Sequence, residues 1–268
     1  MPDPVGSFIW YELMTTEPEA ASEFYGAVVG WRIAKHSDDR SAADAMDYRM
    51  IVRDDGGMAG GVLKLTEAMT SGGAQPCWMP YFYVPDVDAK VAEIEAEGGK
   101  AFMPAFDLPV GRIAMMLDPQ GVPIYLMNPV PPAGAPADPR SDVFDENALQ
   151  RVRWNELASK DQEGSMAFYA KHFGFEFNDK MPMGDMGDYC FISHGNKTLG
   201  AIMRKNWDNA VLWDFYFGVP SVTAAKQAIE SHGGTVLSGP MVVPGDDWIV
   251  FGTDPQGARF GVVGPLGD

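Results

Sequence analysis

A chain of 268 residues is comfortable for two compact domains, each large enough to bury a core. Its 46% apolar and 12% aromatic residues are those of an ordinary globular protein, and no apolar run approaches the roughly 20 residues that span a bilayer. The formal charge of −17, with no cluster of Lys and Arg, repels phosphate backbones and anionic lipid, so neither nucleic acid nor a membrane is an expected partner.

The opening MPDPVGSFIWYEL lacks the basic and long apolar regions of a secretory signal, and a cytoplasmic location is expected. The first element is a short alternating strand, Phe8 to Met14, with Trp10 and Glu12 on one face and Ile9, Tyr11 and Leu13 on the other. Thr16-x-x-Glu19 reads as a capping box ahead of a helix that carries Phe24-Tyr25 and stops near Gly30. Strands containing Tyr48 to Val52, Gly60 to Leu65 and Pro80 to Val84 follow, then a helix with apolar residues at Val87, Val91 and Ile94 before Gly98-Gly99. Two closing strands flank Asp118-Pro-Gln-Gly121, a tight-turn sequence.

The same order returns in the second half. WYELMTTEPEAASEFYGAVVGW (Trp10 to Trp31) is matched by WNELASKDQEGSMAFYAKHFGF (Trp154 to Phe175), with Ser159-x-x-Gln162 in the place of the capping box. Trp78, Tyr81, Val84-Pro85 and Gly98-Gly99 return as Trp213, Tyr216, Val219-Pro220 and Gly233-Gly234, and Asp118-Pro-Gln-Gly121 as Asp254-Pro-Gln-Gly257. The strands Val152 to Ala158, Tyr189 to Ser193, Leu199 to Arg204 and Asp214 to Val219, and a helix with Val222, Ala225 and Ile229, complete the copy. The expected organisation is an N-terminal domain over residues 1–129, a Pro/Ala-rich linker over 130–148 and a C-terminal domain over 149–268. Cys77 and Cys190 fall at non-equivalent places, as buried and inert thiols would, rather than as a disulfide or thiolate cluster.

The ordered set of Phe-Tyr, Gly-Trp, Val-Pro-Asp-Val-Asp and Asp-Pro-Gln-Gly, returning in the second half as Phe-Tyr, Gly-Phe, Val-Pro-Ser-Val-Thr and Asp-Pro-Gln-Gly, resembles the vicinal oxygen chelate superfamily of glyoxalase I, bleomycin-resistance proteins and extradiol dioxygenases. That resemblance implies an α+β fold of βαβββ modules, paired into half-open mixed β-barrels with helices outside and a strand-lined ligand cavity. Four modules would make two barrels or one pseudo-symmetric assembly, giving a monomer with an internal pseudo-dimer or a homodimer. It also implies divalent-metal ligands at inward strand positions. The corresponding places hold Trp10 and Trp154, then Lys64 and Arg204, then Met79 and Asp214, and finally Tyr125 and Gly261. Of these only Asp214 is a metal-ligand type, so no metal or other cofactor is expected, a displaced divalent site being the alternative.

His36, His172, His194 and His232 fall at turns and helix ends and read as solvated. Glu12 and Glu156 share their strand faces with the Trp residues and are the candidate catalytic or recognition groups, as general base or as anchor for a cationic or hydroxylated ligand. The alternative is a strand-end Glu satisfied by Arg or backbone amides. Trp10, Met79, Tyr81, Tyr83 and Tyr125 in the first half, and Trp154, Tyr216 and Trp248 in the second, would offer an aromatic surface for a flat small molecule, or would simply fill the core. Arg112 reads as a surface or interdomain ion pair that could also reach a ligand anion. The first expectation is a metal-independent small-molecule binding protein; the second is a glyoxalase- or dioxygenase-like enzyme, using a displaced metal or metal-free Glu/Tyr acid-base chemistry.

Overall fold

The computed structural model describes residues 3–34, 46–131, 134, 140–205 and 211–268. The first half runs β1 (Phe8–Thr15), α1 (Pro18–Val29), β2 (Arg32–Ile33), β3 (Tyr48–Val52), β4 (Met58–Lys64), a short α2 (Glu67–Ser71), β5 (Cys77–Tyr83), α3 (Val87–Ala96), β6 (Lys100–Leu108), β7 (Gly111–Leu117) and β8 (Pro123–Pro129). The second runs β9 (Val152–Ser159), α4 (Gln162–Phe173), β10 (Lys180–Pro182), β11 (Asp188–His194), β12 (Lys197–Arg204), β13 (Trp213–Gly218), α5 (Val222–Ser231), β14 (Thr235–Val242), β15 (Trp248–Thr253) and β16 (Arg259–Gly264). These make two mixed eight-stranded sheets, ordered β2-β3-β4-β1-β5-β8-β7-β6 and β10-β11-β12-β9-β13-β16-β15-β14. Each βαβββ module closes the same way: its first strand lies parallel to its last, with Glu12 opposite Gly61, Tyr81 opposite Tyr125, Glu156 opposite Ala201 and Tyr216 opposite Gly261. The fold is α+β, as the repeat implied, and no helix among the described residues is long and apolar enough to cross a membrane.

The chain forms two compact units, and each draws on both halves of the sequence. One unit comprises Met1–Trp10, Met79–Ser141 and Trp154–Trp213; the other comprises Tyr11–Trp78, Asp142–Arg153 and Asp214–Asp268. This exchange accounts for motifs that periodicity left unexplained. In the second unit the Trp78 indole donates to Tyr25 Oη at 2.9 Å, and Tyr25 donates to Asp254 of the Asp-Pro-Gln-Gly turn at 3.2 Å. In the first unit Trp213 donates to Tyr169 at 3.0 Å and Tyr169 to Asp118 at 3.1 Å. Each Asp also accepts two turn amides on its other oxygen, from Gln120 and Val122 or from Gln256 and Ala258. The phenols are fully buried, where an unpaired hydroxyl would be costly, and the relay satisfies every one of these groups. Desolvation pushes both carboxyls up to about 6 in spite of the hydrogen bonds they accept.

Both helices end as their glycines foretell, with Gly30 and Gly174 in the left-handed region at φ 84° and 69°. Their starts differ from the expected capping boxes. Helix α1 begins at Pro18 after Glu17 with no side-chain cap, because proline has no amide to satisfy and its fixed φ suits a first helical turn. Asp161 caps α4 by accepting from the Gly164 amide at 3.0 Å, while Ser159 turns to Ser165 at 2.7 Å. Each closing hairpin also gains a third strand, β6 or β14, which the sequence reading did not count. Pro104 and Pro240 disguise them, yet both strands lie at sheet edges, where a missing amide leaves no ladder bond unmade.

Part of the expected linker carries structure of its own. Phe144 bridges Val152, and just beyond the linker the Trp31 indole donates to the Gln150 carbonyl at 2.9 Å. The Gln150 amide donates to the Gly30 carbonyl at 2.8 Å and accepts from Asp54 N at 2.8 Å. Most of the Pro/Ala stretch before it lies outside the described residues.

Candidate functional site

Strand alternation gives each sheet a face under the helices and a face away from them. In the second unit Phe217 and Phe260 pack about Tyr25 of α1, with ring centroids 6.3 and 5.4 Å from it. Asp214 and Tyr216 on β13, and Arg259 and Gly261 on β16, therefore share the opposite face. There Arg259 grips Asp214 bidentately, Nε and Nη2 each donating to a carboxylate oxygen at 3.0 Å, and Asp214 is only 6% exposed. The Tyr216 ring lies on Gly261, where a Cβ would come within 2.1 Å of Cδ1, and Phe251 lies 6.0 Å from it. Trp248, expected beside Tyr216, alternates instead with Ile249 and Phe251 and shares the face of Val250. Glu12 is 2% exposed and stands opposite Gly61, over which the Tyr48 hydroxyl leans. Burial, and then the charge of Glu12, push the Cys77 thiol up to about 12, so it stays a thiol. Both cysteines are free, Cys190 buried and Cys77 half-buried.

In the first unit Phe82 stacks on Phe173 of α4 at 4.5 Å, which turns Met79, Tyr81 and Tyr83 to the other face. Tyr81 stacks on Tyr125 at 4.2 Å and 18°, and Met115 lies beside Tyr125 on β7. On β9, Trp154 and Glu156 share a face, as alternation foretells, and Trp10, half-buried, belongs to the same unit. The Trp154 indole donates to Tyr189 Oη at 2.8 Å, and Tyr189 donates to Glu156 at 2.6 Å. Phe191 stands edge-on to both rings, at 6.0 Å and 80° from Trp154 and 5.7 Å and 81° from Tyr189. All four of these side chains are half-buried. Tyr189, Phe191 and Arg259 were missed from sequence, although continued alternation through Tyr189 to Ser193 puts the first two on one face.

The donor chemistry at the family's metal places is poor. An indole nitrogen offers no lone pair, and that of Trp154 donates to Tyr189. Lys64 and Arg204 are exposed cations, Met79 is buried, and Asp214, the one expected ligand type, is taken by Arg259. Among the described residues no three His, Cys, Asp or Glu side chains converge as a metal would require. His172 is not solvated as expected: it is 3% exposed, with Nε2 3.1 Å from Glu97 across α3 and α4. His232 is exposed, His194 is half-buried with its pKa lowered chiefly by that burial, and His36 lies outside the described residues. Arg112 forms exposed ion pairs with Asp88 at 2.7 Å and Asp107 at 3.0 Å.

The family model described as Glyoxalase/Bleomycin resistance protein/Dioxygenase superfamily matches residues 7–126 and 151–262. The chain is 28% identical to "Putative glyoxylase CFP32" of Mycobacterium bovis over 96% of its own length and 94% of the relative's. It is 33% identical to "Anthracycline biosynthesis protein DauV" of Streptomyces sp. (strain C5), covering 96% of this chain and 93% of that one. Among solved structures, the Mn(II)-bound glyoxalase of Novosphingobium aromaticivorans superposes with a TM-score of 0.63 at 15% identity, over 98% of this chain and 83% of the other.

Proposed function

Since the chain belongs to the Glyoxalase/Bleomycin resistance protein/Dioxygenase superfamily, we propose that it binds a small, flat molecule on the helix-free strand faces without using the family's metal. The observation that carries this reading is the chain from Trp154 through Tyr189 to Glu156, a carboxylate held in a fixed direction beside aromatic rings. A phenol has one donor; here it goes to Glu156, and the indole takes the oxygen's accepting side. Side chains held in this way are pre-organised for a ligand, and aromatic surface supplies contact area at little entropic cost. A relative named for anthracycline biosynthesis supports an aromatic ligand. The indoles, cations, methionine and Arg-bound aspartate at the metal places do not fit a divalent ion.

The second reading, an enzyme of glyoxalase or dioxygenase type, draws on the relative named as a glyoxylase. Metal analysis of the purified protein, joined to a thermal-shift screen of aromatic metabolites and antibiotics, separates the two. The binding reading expects ligands that raise the melting midpoint with no stoichiometric metal. Stoichiometric Fe, Mn, Ni or Zn that disappears on Glu12→Ala or Glu156→Ala overturns it.

A further inference from the structure

The indole N–H lies in its ring plane, so the 2.8 Å bond from Trp154 to Tyr189 joins the two rings at their edges. Their planes differ by 4° with centroids 6.5 Å apart, which makes them one continuous platform rather than a face-to-face stack. Phe191 rises from that platform at 80° and 81° as a wall. Glu156 accepts the phenol's hydrogen bond at the platform's rim. The platform faces lie beside a carboxylate, and aromatic faces are the negative pole of the ring quadrupole, so both offer attraction to a cation. All four side chains keep partial exposure, unlike the Tyr81 and Tyr125 stack, at 7% and 4%. A chain of net charge −17 adds long-range attraction of the same sign.

We infer that Trp154, Tyr189, Phe191 and Glu156 form a binding site for an organic ammonium group. Its alkyl or aromatic portion rests on the Trp154–Tyr189 platform against Phe191, and its charge is met by Glu156. This deepens the ligand-binding reading and rests on it. The second unit does not repeat the corner on β3: where β11 carries Tyr189 and Phe191, β3 carries Tyr48 and Met50.

The test titrates the full chain with benzylamine, protonated at neutral pH, and with uncharged benzyl alcohol, following indole N–H resonances by NMR. The Trp154 resonance is identified by its absence from Trp154→Phe. Both probes are expected to shift it, benzylamine with a Kd about tenfold lower, and that ratio is expected to fall to near one in Glu156→Gln. Melting midpoints check that each variant is folded. If Glu156→Gln does not fold, Phe191→Ala carries the test, with an expected loss of about three- to tenfold in benzylamine affinity and little change for a site elsewhere. Equal affinities at Trp154, or a preference for benzylamine that survives Glu156→Gln, overturn the ammonium site and leave the ligand-binding reading standing. Failure of both probes to move the Trp154 resonance also overturns the ammonium site, and the thermal-shift screen then decides the ligand-binding reading separately.

Discussion

At equivalent places in the two halves, the strand pair β5/β8 stacks Tyr81 on Tyr125, whereas β13/β16 lays Tyr216 on Gly261. Two residues earlier the first pair carries Met79 and Pro123, and the second carries Asp214 and Arg259. One backbone arrangement thus supports an apolar aromatic face in one copy and a buried ion pair in the other. Duplication fixes the positions at which side chains meet, and the residues placed there decide what each face offers. A buried pair is costly to desolvate and is held together by its two members jointly, so it is weak evidence of stability and stronger evidence of retained polarity.

Breaking that pair has the largest expected effect. Arg259→Met leaves Asp214 buried without its guanidinium partner and should cost about 3–5 kcal/mol in urea unfolding, while Asp214→Met with Arg259→Met should recover most of the loss. A neutral single variant would show that the contrast between the faces is only one of shape. Next in size is the feature both units share. Burial holds the folded carboxyls of Asp118 and Asp254 at about 6, above the ordinary aspartate value of 3.8. Each therefore contributes stability that is complete below the unfolded carboxyl range and is lost as pH rises through about 6, by up to about 3 kcal/mol. Unfolding midpoints measured across that range should fall with pH in the parent and much less in Asp118→Asn with Asp254→Asn.

Smaller still is Gly261→Ala, which drives a methyl group into the Tyr216 ring and should cost about 1–3 kcal/mol; no loss would mean that the ring swings freely off β16. At the bottom of the scale is Arg112→Ala. Its partners Asp88 and Asp107 are exposed, so urea unfolding should not resolve the change, in contrast with Arg259.

Much of the fold was legible because its signals are local and appear twice. Alternation placed Trp154 with Glu156, and the glycines placed the ends of α1 and α4. The helix starts were misplaced because Pro18 and Asp161 outrank capping residues that match the box pattern one position too early in α1 and two in α4. Of the candidate site, Glu156 and Trp154 were named from sequence, but the phenol that joins them arrives from β11, 33 residues beyond Glu156. Trp248 was named as a candidate beside Tyr216, but pairing with β16 sets Phe251 against Gly261 and Val250 against Val262, so alternation puts Trp248 on the face of Val250.

The sequence by itself determined the duplication, the order of strands and helices, and the residue types at each family position, because these rest on spacing and short-range periodicity. Only the tertiary structure decided that Tyr25 answers Asp254 and Tyr169 answers Asp118, each motif finding its partner in the other copy. It likewise decided that Asp214 belongs to Arg259. Such pairings depend on strand register and on which modules pack into one unit, and neither is encoded in any contiguous stretch of the chain.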